Sequence, residues 1–143
     1  MTDRPRPAPV SKRGVTCALL ALFYGLAGAL HLSNPAPFLG IMPGWVPFPG
    51  PVVMLTGVAE LAGAAALLQP WSAQLRAAGG WGLALYAVCV FPANIHHFAL
   101  DMAKPDHGLG LGYHVPRMFA QPVLVWLALW ASGADHHFKR TRA

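Results

Sequence analysis

Glu60 is the residue with the most chemistry to offer, because it is the lone acid at the midpoint of an apolar stretch from Pro51 to Gln69. A carboxylate at the centre of a bilayer costs on the order of 2.5–3.5 kcal/mol, so such a group faces protein or water rather than lipid. Gly57, Gly63 and Ala64 flank it at helical spacing, and small residues let a second helix come close enough to hide it. Other polar groups fall on single helical faces. Tyr24, Gly28 and His31 stand at i, i+4 and i+7. Tyr86, Val90, Asn94 and His97 stand at i, i+4, i+8 and i+11, and Arg117 and Gln121 at i and i+4. At 1.5 Å per residue, Tyr24 and Glu60 lie about level in their stretches, so a Tyr24–Glu60 hydrogen bond is feasible, and a protonated Glu60 could donate instead to the Val88 carbonyl. Pro92 removes a backbone donor and frees the Val88 carbonyl at a similar depth. The expected site is a pocket lined by Tyr24, His31, Glu60, Asn94, His97, Arg117 and Gln121. There Glu60 or His97 would exchange protons and Arg117 would stabilise an anionic oxygen. No reaction is assigned.

A pocket that is apolar with few convergent polar groups suits a quinone-like or other small apolar ligand. Metal is not expected: there is no HExxH and no Cys–His pattern, and adjacent His96 and His97 point about 100° apart on a helix. His31 with His97 is the one pair that could ligate haem or a metal across the helices. Cys17 and Cys89 are offset by roughly 10 Å along the axis, too far for a disulfide, and no CxxC supports thiol exchange.

The elements that must position these groups follow from composition. Hydrophobic residues make up 55% of the 143 and charged residues only 10%, against about 25% charged in soluble domains. Fifteen charges cannot cover a water-soluble protein of this size, and a disordered chain would be richer in charge. Four stretches have the length of a membrane crossing: about 14–32, 51–69, 77–100 and 118–134. The expected fold is all-α, an integral membrane four-helix bundle in up-down order over 14–134. A basic disordered tail over 1–13 precedes it, and a tail over 135–143 follows. The first stretch is too long for a signal-peptide core and three more follow it, so an uncleaved span is expected. Arg4, Arg6, Lys12, Arg13, Arg76, Lys139, Arg140 and Arg142 fall on one side, with only Lys104 and Arg117 on the other. That bias puts both termini in the cytoplasm. The net charge of +5 is thus a topology device and gives no support to nucleic-acid binding. The connection over 33–50 has five prolines, no ionisable residue, and Phe38, Ile41, Met42, Trp45, Val46 and Phe48. It reads as an interfacial strap without regular helix, or as a lid over the pocket. Asp135, His136 and His137 read as an exposed cytoplasmic end.

Met42-Pro43-Gly44-Trp45-Val46-Pro47, Leu55 to Leu61 around Glu60, and Val90-Phe91-Pro92-Ala93-Asn94-Ile95-His96 resemble the DoxX family of bacterial membrane proteins. Arg117 to Gln121-Pro122 is similar to that family's Arg-Leu-Pro-Leu-Gln segment, although Met118-Phe119-Ala120 departs from it. The resemblance implies a four-helix inner-membrane protein, with Glu60, Pro92, Asn94, Arg117 and Gln121 as signature residues. It also implies a redox-associated subunit whose partner would be a redox enzyme. Two other readings stay open. One is a small-molecule or proton transporter, though the cytoplasmic half of the second stretch offers nothing polar before Gln69. The other is a non-catalytic partner or assembly protein, or a homo-oligomer, whose polar cluster only fixes helix register.

Overall fold

The computed structural model describes residues 11–135. They form five helices: α1 (Lys12–Ser33), α2 (Ala36–Gly40), α3 (Pro49–Leu68), α4 (Ala73–Met102) and α5 (Gly110–Ser132). Ser11 caps α1 by accepting from the Gly14 amide at 3.1 Å, and Ser72 caps α4 by accepting from Leu75 at 3.1 Å. These hydroxyls satisfy amide donors that a helix start leaves orphaned. Pro35 follows the end of α1 and Pro49 opens α3, each where a proline costs no helical hydrogen bond. Lys12 and Arg13 belong to the first turn of α1, so the helix starts before the end of the expected tail; the rest of that tail, and 136–143, lie outside the described residues.

α1 packs on α3 and α5, and α4 packs on the same two neighbours. Close approach depends on glycine. A Cβ on Gly28 would lie 2.7 Å from the Gly57 carbonyl oxygen, and one on Gly57 would lie 2.9 Å from the His31 Cβ. Cys17, buried, donates from Sγ to the Ala131 carbonyl at 3.3 Å and ties α1 to α5. Around it Leu20, Ala21, Ala64, Leu67, Leu83, Ala84 and Ala128 make a dry core. Both cysteines are free thiols. Three helices, α1, α3 and α4, are long and apolar enough to cross a membrane. Their outward faces are apolar: Leu19, Leu22, Leu26 and Leu30 of α1 are each more than half exposed.

α5 begins at Gly110, eight residues before the expected 118. Hydropathy assigns Tyr113, His114 and Arg117 to a loop, but His114 Nε2 and Arg117 Nη1 find partners on α4 and the Tyr113 ring packs edge-on against His97, so the helix can include them. α4 likewise runs past both expected ends, started by Ser72 and closed beyond Asp101, whose carboxylate is satisfied locally. The 33–50 connection is not wholly irregular. It makes the single-turn helix α2, then turns that lead to Phe48 in the left-handed region (φ 50°).

Candidate functional site

At the end opposite the α3–α4 turn, the helices part around a cavity of about 590 Å³, within the common range for ligand sites. Tyr24, His31, Glu60, Asn94, Arg117 and Gln121 all line it; the expected seventh residue, His97, does not. Its other walls are mostly apolar. Phe38, Ile41, Trp45 and Val46 close one side, so the 33–50 connection is part of the cavity wall. Two contacts hold this strap down. The Phe38 ring stacks on His31 with centroids 3.7 Å apart, and His96 Nδ1 lies 2.9 Å from the Ile41 carbonyl oxygen.

Glu60 is buried, and both its oxygens have close neighbours. Tyr86 donates its hydroxyl to Oε1 at 2.7 Å, a charge-assisted bond when the acid is ionised. His31 Nδ1 lies 2.8 Å from Oε2 and also 2.9 Å from the Ala27 carbonyl oxygen of its own helix. One ring hydrogen cannot serve both acceptors fully. It points to the carbonyl, and Oε2 is left without a hydrogen bond. Tyr24 does not make the bond to Glu60 that its depth allows. Axial depth alone suggested it, but azimuth decides: Tyr86 of α4 occupies the carboxyl, and Tyr24 packs edge-on against Tyr86 at 6.1 Å. The Tyr24 hydroxyl is buried with no partner among the described residues.

Below the strap, Asn94 Nδ2 donates to Gln121 Oε1 at 3.1 Å, and Gln121 Nε2 donates to the Ala87 carbonyl. That carbonyl stands one residue before Val88, whose usual amide donor Pro92 cannot provide. Arg117 Nη1 lies 2.9 Å from His97 Nδ1, and its guanidinium sits 5.6 Å from the Tyr113 ring centroid.

Behind Arg117 is a cluster that sequence reading missed. Asp101 Oδ1 accepts from Lys104 Nζ at 2.6 Å; Oδ2 accepts from the Leu109 amide at 3.1 Å and faces His114 Nε2 at 2.9 Å and His97 Nε2 at 3.5 Å. Gly108 (φ 52°) lets the loop close over this carboxylate, where a Cβ would come 2.5 Å from the carboxylate carbon. The signal was His97 and Asp101 at i and i+4, obscured because the third stretch was ended at 100. Lys104, outside the helices, is held above its ordinary pKa by the hydrogen bond to Asp101.

His97, Asp101 and His114 offer three ligand atoms within 4.8 Å of one another. Bonds of 2.0–2.1 Å in a tetrahedron would set ligand atoms about 3.3 Å apart, close to the 2.9 and 3.5 Å seen. The donor set does not fit a metal. A guanidinium only donates, so His97 Nδ1 must accept from Arg117 and Nε2 must carry the ring hydrogen. Ligating through Nε2 would set Nδ1–H against an Arg117 N–H. It would also leave a buried N–H at His114 Nδ1, which has no partner. The cluster is a hydrogen-bonded clamp.

Comparison with known proteins corrects the family expectation. No curated protein and no solved structure matches the chain. The family model that does match is DUF8561, a domain of unknown function, over residues 20–132; it is unrelated to DoxX. The strings that resembled DoxX are short. Small residues around a buried acid, and a proline beside an amide, are what any set of close-packed helices hiding a carboxyl requires. With DoxX goes the redox association that it implied. The match spans most of the chain, which belongs to the DUF8561 family.

Proposed function

We propose that this chain is an integral membrane protein of four spanning helices whose cavity binds a small lipophilic molecule through a polar oxygen. The observation that carries the reading is the Tyr24 hydroxyl, buried with no hydrogen-bond partner among the described residues, in a mostly apolar cavity that is also lined by Glu60, whose Oε2 has His31 Nδ1 at 2.8 Å but no aligned hydrogen bond. Leaving a buried hydroxyl unmade costs about 1–3 kcal/mol; a ligand carbonyl would accept from Tyr24, and a ligand hydroxyl could accept from Tyr24 or donate to the Glu60 carboxylate. A quinone-like ring belongs to this class. The dry core at the opposite end supports binding over conduction, since no polar path continues past Tyr24.

Membrane insertion is supported by the exposed leucines of α1 and by the length of the helices. The 30 residues of α4 reach about 45 Å, longer than a hydrocarbon core of about 30 Å. Arg13 and Arg76 line one end, where Arg13 pairs with Asp135 at 3.2 Å, and Lys104 and Arg117 occupy the other. Counted along the sequence, eight Lys and Arg residues in the tails, at the start of α1 and near the α3–α4 turn against two at the other end support cytoplasmic termini. The test is mass spectrometry of molecules that co-purify with the full chain from carbonate-washed membranes. A lipophilic species present with wild type and depleted with Glu60→Gln is expected. Release of the chain by carbonate, or no difference between the two proteins, would refute the reading.

A further inference from the structure

Arg117 stands out electrically. Among the described residues it forms no ion pair with a carboxylate, and its one hydrogen bond goes to a histidine. The nearby acids are engaged elsewhere. Asp101 is filled by Lys104, Leu109 and His114, and Asp106 accepts from the Gly108 amide at 3.1 Å. Glu60, the acid that lines the cavity with Arg117, is held by Tyr86 with His31 beside it. The cavity thus has a deep end marked by Glu60 and Tyr24, and a mouth marked by an un-neutralised planar cation. α4 measures the interval: Tyr86 touches Glu60 and His97 touches Arg117. Those two residues are 11 positions apart, about 16 Å at 1.5 Å per residue. The carbonyls of a single quinone ring cannot span it. An extended chain advancing roughly 1.2 Å per bond needs on the order of ten bonds, once the reach of the arginine is allowed for.

Resting on the ligand-binding reading above, we propose that the natural ligand is an elongated amphiphile with a carboxylate or phosphate at Arg117 and a chain that carries its polar oxygen toward Tyr24 and Glu60. The guanidinium matches such a head in two ways. It is planar, which suits two parallel hydrogen bonds to paired oxygens, and it is more weakly hydrated than an ammonium. His97 and the Tyr113 ring fix its plane, and Asp101 holds His97 in turn. The acid at the far end disfavours the opposite orientation.

The experiment uses the full chain in phosphatidylcholine nanodiscs and tritiated palmitate, competed by unlabelled palmitate, methyl palmitate, hexadecyl phosphate and a short-chain ubiquinone. Palmitate is expected to compete about 10- to 100-fold better than its methyl ester, the range for a charge-assisted hydrogen bond. Hexadecyl phosphate tells which anionic head is preferred. Arg117→Gln is expected to bring acid and ester within about threefold of each other, and Arg117→Lys to keep part of the ratio. Equal competition by acid and ester in wild type overturns the anionic head and leaves the cavity reading standing, as does displacement by ubiquinone that Arg117→Gln does not change. No displaceable binding of palmitate overturns the anionic head, and the cavity reading falls with it when tritiated ubiquinone, added directly, shows no saturable binding either. If Arg117→Gln fails to fold, the wild-type ratio and the lysine variant still decide.

Discussion

Replacing Gly28 with alanine tests whether the site depends on how closely α1 and α3 approach. The new Cβ would sit 2.7 Å from the Gly57 carbonyl oxygen and 3.0 Å from the Leu61 Cγ. Ordinary contact begins near 3.4 Å, so the helices must part by about 0.7 Å. The carbonyl is backbone and cannot swing aside. Overpacking of this kind costs about 1–3 kcal/mol. The same displacement would stretch His31 Nδ1 to Glu60 Oε2 from 2.8 Å to about 3.5 Å, weakening the contact between imidazole and acid. Gly25 is the control on the same helix: a Cβ there meets nothing within 4 Å. Alanine at an open helical position removes a glycine penalty of roughly 0.5–1 kcal/mol. In detergent, the apparent melting temperature should fall by several degrees for Gly28→Ala and hold or rise for Gly25→Ala. Equal behaviour of the two variants, or unchanged ligand retention in Gly28→Ala, would refute the close-crossing account.

Tyr86→Phe should destabilise by about 1.5–3 kcal/mol by removing the donor to a buried carboxyl, whereas Tyr24→Phe should raise the stability of the ligand-free protein, because its buried hydroxyl has no protein partner; equal melting shifts would contradict the assignment. Asp101→Asn should speed hydrogen exchange at the Leu109 amide, measured by mass spectrometry, while leaving the α3–α4 turn unchanged. The Lys104–Asp101 pair has a fixed sign: a lysine pKa raised in the folded state contributes below the unfolded value near 10.4 and loses that contribution as pH climbs through the folded one. Exchange at Leu109 should therefore show no lysine-dependent change up to about pH 10, after correction for intrinsic rates, and faster opening above about pH 10.5. His96→Ala should release the strap, giving faster ligand dissociation and new proteolysis over 36–48; unchanged dissociation would mean the Ile41 contact is idle.

The helices were legible because lipid-length apolar runs leave few alternatives, and Glu60 was legible because an acid amid such residues must be sheltered. The glycines beside it were legible for the same reason. What was lost was azimuth. Depth along the axis cannot say whether Tyr24 or Tyr86 turns toward the carboxyl. The clamp around Asp101 was lost for another reason: hydropathy treats a satisfied polar side chain and a solvated one alike. His114 and Arg117 therefore read as loop, although their partners on α4 let α5 start early. His97 was assigned to the cavity wall by periodicity, and it stands one step behind the wall, holding the arginine that does line it.

The imidazole at position 31 is shared property of wall and roof: one edge belongs to Glu60, one face to Phe38. Mutagenesis there confounds two effects, since any replacement both strips the acid of a neighbour and unseats the covering segment. Dissecting acid chemistry from access is cleaner at Tyr86 on one hand and at Phe38 or His96 on the other.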